Sequence, residues 1–188
     1  MDNIILASSS PRRKELLNKI VNHFEIIPSK VDEIYPPSLE KFEVSLYLSN
    51  LKAYDIYQKY PNHIVIGVDT TVIINDDILG KPLNKDEAKK MLEKLSGNMH
   101  HVITGVTVYK DNTKYEINSI NKVYFKNLDS LTIDNYLLDD EYKDKAGSYA
   151  IQGKAGAFIE KIDGDYDSIV GLPTKELYEL LLKLNNTK

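Results

Sequence analysis

Residues 64–81 read IVIGVDTTVIINDDILGK. Ile64 to Ile74 is a run of β-branched and other apolar residues, which reads as a central strand. Asn75, Asp76 and Asp77 supply a turn, and Ile78-Leu79 pairs back as a hairpin. One residue breaks the apolar pattern. Asp69 lies mid-strand, where an unpartnered carboxylate would be costly to bury.

Upstream, Ile4 to Ala7 reads as a short buried strand that feeds Ser8-Ser9-Ser10-Pro11. Ser at the N-cap with Pro at the first helical position starts a helix, and Leu16, Leu17 and Ile20 give it an apolar stripe. Phe24 to Pro28 reads as a second strand. A long helix is expected from Leu39 to Tyr60, closed by Pro61, with Phe42, Leu46, Ala53 and Ile56 on its apolar side. Downstream, Asn84 with Glu87 forms a capping box for a helix that ends near Gly97. Val102–Tyr109 and Lys114–Lys126 read as antiparallel strands joined at Asp111-Asn112, the second alternating along Tyr115, Ile117 and Ser119. A short helix is expected over Thr132–Leu138, then a charged loop from Asp139 to Gly147. Strands are expected at Tyr149–Ile151 and Ala157–Ile162, and a final helix capped by Thr174 runs through Leu184. Helices and strands intermix and hairpins are included, which predicts an α/β fold with a mixed central sheet flanked by helices.

The chain has 188 residues, enough for one domain with a sizeable core, and the expectation is a single domain over 1–188. With 42% apolar and 28% charged residues it is not a disordered composition. A net charge of −4 without a basic run disfavours broad nucleic-acid binding but leaves room for a small anionic substrate. The absence of cysteine excludes disulfides, thiol catalysis and Cys-ligated zinc. No signal-peptide pattern and no membrane-length apolar segment occur, so a cytoplasmic protein away from membranes is expected.

Several positions have chemistry in them. Ser8, Ser10, Arg12 and Arg13 sit where a strand feeds a Ser-rich loop that opens a helix. Free N–H groups and the helix dipole suit an anion there, and guanidinium forks match phosphate oxygens. An ordinary capped helix with two solvent-facing arginines fits the same residues. Asp69 calls for a cation, a metal or a hydrogen-bond network; a structural ion pair would also satisfy it. Lys81, in Gly80-Lys81-Pro82, follows the strand paired with that of Asp69. Lys52 reads from its helix alone as a solvated lysine. Asp32-Glu33 offers carboxylates to a hard divalent ion, or is a polar loop pair. Gln152, between Ile151 and Gly153, either reads a base edge or caps a strand. The four histidines lack metal-ligand spacing, and none is assigned to a metal.

LASSSPRRKELL (6–17), the DE at 32–33, Lys52-Ala53, IGVDTTV, LGKP, LSG…HHVITGVTV, GSYAIQG and GDYDSIVGLP together resemble, in order, the Maf nucleotide pyrophosphatases. The resemblance runs from about residue 4 to 182. It implies an elongated fold related to the inosine-triphosphate pyrophosphatases, with two lobes and a cleft. It implies hydrolysis of nucleoside triphosphates to monophosphate and pyrophosphate. By the same resemblance Asp69 is the catalytic carboxylate, Arg13, Lys52 and Lys81 bind phosphate, and Glu33 is a further carboxylate. Glu33 and Asp69 would then hold a divalent metal, Mg or Mn. Arg12, Thr70 and Gln152 match the dTTP/UTP branch and not the 7-methyl-GTP branch. A homodimer is implied, as is an alternative role as a nucleotide-binding regulator of septum formation.

Overall fold

The computed structural model describes residues 3–185. Seven strands form one sheet in the order β2-β1-β3-β5-β6-β7, with β4 paired to β3. They are β1 (Ile4–Leu6), β2 (Glu25–Ile26), β3 (Ile64–Ile74), β4 (Asp77–Leu79), β5 (Met99–Lys110), β6 (Thr113–Phe125) and β7 (Ile159–Asp163). β1 pairs parallel with β2 and β3, whereas β4 on β3 and β7 on β6 are antiparallel, so the sheet is mixed. Among the described residues six α-helices accompany it: α1 (Pro11–Asn18), α2 (Val44–Tyr57), α3 (Lys85–Leu95), α4 (Ser130–Tyr136), α5 (Tyr166–Val170) and α6 (Thr174–Asn185). The hairpin turns at Asn75-Asp76 and Asp111-Asn112 have positive φ at both residues, which short Asn and Asp side chains tolerate. Among the described residues, no helix is long and apolar enough to cross a membrane.

The chain divides into two compact units. The first comprises residues up to Asp69, Thr104–Ser119 and from Gly171 onward. Its β1 is buried on both faces, which is why Ile5, Leu6 and Ala7 form an unbroken apolar run. Ile5, Ala7 and Val65 pack on Ala53, Ile56 and Tyr57 of α2. Two glycines let α2 lie directly on the strands. A Cβ at Gly67 would come within 2.2 Å of the Ser49 carbonyl, and one at Gly105 within 2.4 Å of the Leu46 amide.

The second unit comprises Thr70–Ile103 and Ile120–Val170. α3 buries Ala88, Met91, Leu92 and Leu95 in a core shared with Val72, Val123, Ile133, Tyr136, Tyr149 and Phe158. Asn84 Oδ1 accepts from the Glu87 amide, so the expected N-cap is present, while the return bond of Glu87 Oε2 falls on the Leu83 amide and not on that of Asn84. His100 is buried in this core, its Nε2 2.7 Å from the Tyr149 hydroxyl. Burial lowers its pKa to about 3, which keeps it neutral.

Three expectations need correction. The helix expected over 39–60 is α2, preceded by a 3₁₀ turn at Lys41–Glu43. Phe42 falls outside it and is exposed; its buried face includes Ser45 and Ser49, because Gly105 and Gly67 bring the backbone too close for larger groups. Tyr149–Ile151 is no strand: Gly147 and Ser148 take positive φ and turn the chain, and Tyr149 enters the aromatic core. The 139–147 loop contains 3₁₀ turns at Asp140–Tyr142 and Ala146–Ser148. A further element not read from sequence is the short α5 after Gly164, where Asp165 Oδ1 accepts from the Ser168 amide.

Candidate active site

The Ser-rich loop leaves β1 and enters α1 with Ser10 at the N-cap and Pro11 at the first turn, as the sequence predicts. The Ser10 side chain makes no capping bond. Ser8 is buried instead, and its Oγ accepts from the Ser10 amide at 3.3 Å and from Arg13 Nη1 at 3.2 Å. Arg13 Nε donates to the Gly171 carbonyl at 3.2 Å. The guanidinium is thus oriented from two sides and does not wave in solvent. Arg12 is half-buried. Burial lowers both guanidinium pKa values, with Asp69 opposing this at Arg13, yet an arginine stays charged at any physiological pH. Gly171 was not picked out from sequence; the Gly-Leu-Pro that closes the GDYDSIVGLP motif is the signal that would have found it.

Asp69 lies two residues after Gly67 on β3, so strand alternation turns both toward α2. Lys52, on α2 beside Ala53, meets it: Nζ is 2.6 Å from Asp69 Oδ1 and 3.0 Å from Glu33 Oε1. The Lys52 side chain is 12% exposed, which overturns the reading of a solvated helix lysine. Glu33 is 55% exposed and approaches from the loop after β2. That loop is pinned to α2 by Asp55, which accepts from Ser29 Oγ at 2.9 Å and from the Lys30 amide at 3.4 Å. Of the partners the sequence left open for Asp69, the structure supplies a cation, Lys52.

Burial pushes the Asp69 carboxyl above its ordinary value; Lys52 and Arg13 pull it down, and Glu33 pushes it up again. The net direction is upward, which makes the carboxylate a better proton acceptor than a solvated aspartate. Among the described residues no cluster of three or more His, Cys, Asp or Glu could hold a metal ion. The donor set is two carboxylates, Asp69 and Glu33, already converging on one cation. Two hard oxygen donors suit a Mg²⁺ or Mn²⁺ that takes its other ligands from phosphate and water.

Ser8, Ser10, Arg12, Arg13, Glu33, Lys52 and Asp69 all belong to the first unit; Thr70, Lys81 and Gln152 belong to the second. There Thr70 is half-buried and Lys81 is exposed two residues past β4. Gln152 is exposed in a turn closed by the Gly153 amide on the Ala150 carbonyl at 3.0 Å.

The Maf-like protein family matches residues 3–184. A Pyrococcus abyssi protein named dTTP/UTP pyrophosphatase is 44% identical over 95% of this chain and 94% of its own length. One of the same name from Bacillus pumilus is 45% identical over 96% of both chains. Among solved structures, a HAM1 protein from Coxiella burnetii superposes with a TM-score of 0.60 at 13% identity, covering 97% of this chain and 100% of that one, which is a likeness of fold. With the strand–serine-loop–helix start, the mid-strand Asp69 and these matches along nearly its whole length, the chain belongs to the Maf family.

Proposed function

We propose that this protein hydrolyses nucleoside triphosphates to monophosphate and pyrophosphate, with dTTP and UTP preferred. The observation that carries the reading is Asp69: a buried carboxylate with a raised pKa, held against Lys52 and under the field of Arg13. Relatives named dTTP/UTP pyrophosphatase, at 41–45% identity over nearly the whole chain, support the substrate class.

A triphosphate carries about four negative charges that repel an incoming water. Arg13 binds phosphate oxygens as a pre-oriented fork, and Lys52 adds a second cation. Asp69 orients the water and accepts its proton as the water oxygen bonds to phosphorus. The bond to the oxygen bridging the α- and β-phosphates breaks, and pyrophosphate leaves. A divalent ion held by Asp69 and Glu33 would offset further phosphate charge and stabilise the leaving group. The single proton-accepting role is more than a regulatory nucleotide sensor requires.

Selectivity is assigned to Arg12, Thr70 and Gln152. Uracil and thymine present two carbonyl acceptors flanking one N–H. The Gln152 amide offers both a donor and an acceptor to that edge. No residue is assigned to the 2′ position, so ribo- and deoxyribonucleotides should serve alike. The same reading makes the protein a cytoplasmic homodimer formed by one Maf-like domain per chain, with its mass in solution as the check.

The test is a panel of nucleoside triphosphates with Mg²⁺ or Mn²⁺, products resolved. Monophosphate and pyrophosphate from dTTP and UTP ahead of dCTP, dATP and dGTP are expected. Orthophosphate and diphosphate as first products would overturn the reaction. Equal kcat/KM for UTP and GTP would overturn the base assignment.

A further inference from the structure

The Gln152 side chain makes no hydrogen bond among the described residues, so its backbone alone fixes where its Cα–Cβ bond starts out. Upstream, Gly147 and the buried Ser148 take positive φ, and the Ser148 carbonyl accepts from the Tyr136 hydroxyl at 3.2 Å. Downstream, one carboxylate meets the chain at three successive residues. Glu141 Oε2 accepts from the Lys154 amide at 3.0 Å, and Oε1 accepts from the Ala155 amide at 3.4 Å. These are free N–H groups at the start of the 3₁₀ turn Lys154–Phe158. A Cβ at Gly153 would lie 2.2 Å from Glu141 Oε1, so the carboxylate fills the space a side chain there would take. The Tyr136 hydroxyl also reaches Glu141 at 3.4 Å, which joins the anchors on the two sides of Gln152. Among the described residues no lysine or arginine forms a salt bridge with Glu141; its carboxylate accepts from two backbone amides and from the Tyr136 hydroxyl.

We propose that Glu141 is a positioning residue for base selectivity: its carboxylate fixes the Gly153–Ala155 backbone and so aims the Gln152 amide at the nucleobase. This rests on Gln152 meeting the base. Glu141→Gln keeps the size of the side chain but turns an acceptor-only group into one that also presents N–H groups to the Lys154 and Ala155 amides. The UTP-to-GTP ratio of kcat/KM should then fall about fivefold, the size of roughly one lost hydrogen bond. A purely structural anchor would lower stability and depress both substrates alike, leaving the ratio in place.

The experiment measures that ratio for the wild type, Glu141→Gln, Gln152→Ala and the double variant, with thermal melts alongside. The expected result is a fall in each single variant and no further fall in the double, because Glu141 acts through Gln152. An unchanged ratio in Glu141→Gln with a fallen ratio in Gln152→Ala overturns the positioning role and leaves the base assignment standing. An unchanged ratio in Gln152→Ala overturns the base assignment and the proposal with it. If Glu141→Gln does not fold, Gly153→Ala makes the same test. It keeps the carboxylate but displaces it, and it too should lower the ratio; a ratio unmoved by it overturns the proposal.

Discussion

In the first unit the polar groups hold one another: Lys52 lies against Asp69 and Glu33, and Arg13 is fixed by Ser8 and Gly171. In the second unit Gln152 is exposed and touches no polar partner, and its backbone is fixed from beneath by Glu141. The difference fits the roles proposed for the two regions. Desolvation strengthens electrostatics and shifts a pKa, so groups that act on phosphate and water belong among buried counter-charges. A group that pairs with a base edge must keep its own donors and acceptors free, so its direction has to come from the main chain.

The largest expected effect tests the buried half. Asp69→Asn keeps shape and removes the base, so turnover should fall about 10²–10⁴-fold while the fold survives. Stability supplies a second readout. The folded-state pKa of Asp69 lies above the ordinary 3.8, so the folded protein binds this proton more tightly than the unfolded chain. The resulting stabilisation is present below the unfolded value and is lost as pH rises through the raised folded value. The variant lacks that titration. Its melting temperature relative to wild type should therefore climb as pH rises from acid to neutral. A variant with more than about a tenth of wild-type kcat would remove Asp69 from the role of base.

Lys52→Met comes next. Lys52 is the strongest influence pulling the Asp69 carboxyl down, so its loss should raise that pKa further. The acid limb of kcat/KM should move to higher pH, with a loss of up to about tenfold for each unit moved at pH values on that limb. A raised KM with the limb unmoved would mean that Lys52 only binds phosphate. On the other side of the comparison, Gln152→Ala should lower the UTP-to-GTP ratio about five- to tenfold while slowing UTP turnover little. A change in kcat with the ratio intact would mean the exposed amide does not read the base.

These two regions were not equally legible in the sequence. Ile64–Ile74 was, since a strand buried on both faces must be apolar throughout, and an acid inside it stands out. The turns at Asn75-Asp76 and Asp111-Asn112, and the helix start at Ser10-Pro11, were visible in local chemistry. The burial of Lys52 was not. It depends on α2 lying on the strands at Gly67 and Gly105, a contact between distant residues that a helical period does not encode. Tyr149–Ile151 has strand-like residues, but positive φ at Gly147 and Ser148 overrides them. Glu141 was hidden for the same reason as Lys52: its partners lie 13 and 14 residues away, past a turn.

Asp55 offers the smallest and sharpest test, because it does in the first unit what Glu141 does in the second. It sits one turn after Lys52 on α2 and accepts from Ser29 Oγ and the Lys30 amide, while Ser29 Oγ accepts in turn from the Val31 amide. This fixes the start of the segment that carries Glu33. Lys59 first, then Ser29 and Lys30, hold the Asp55 carboxyl below its ordinary value. Its contribution is therefore present above the ordinary 3.8 and is lost as pH falls through the lowered value. Lys59 is 60% exposed, so solvent screening keeps that contribution to roughly 1 kcal/mol or less. Asp55→Ala should cost little stability and loosen Glu33 against Lys52. With Asp69 and Lys52 intact, kcat/KM should drop only about two- to threefold, the size of well under 1 kcal/mol. The loss should vanish in a Glu33→Gln background, where there is no carboxylate left to position. Equal losses from Asp55→Ala with and without Glu33 would show that the anchor serves the helix and not the site, and the parallel with Glu141 would fail.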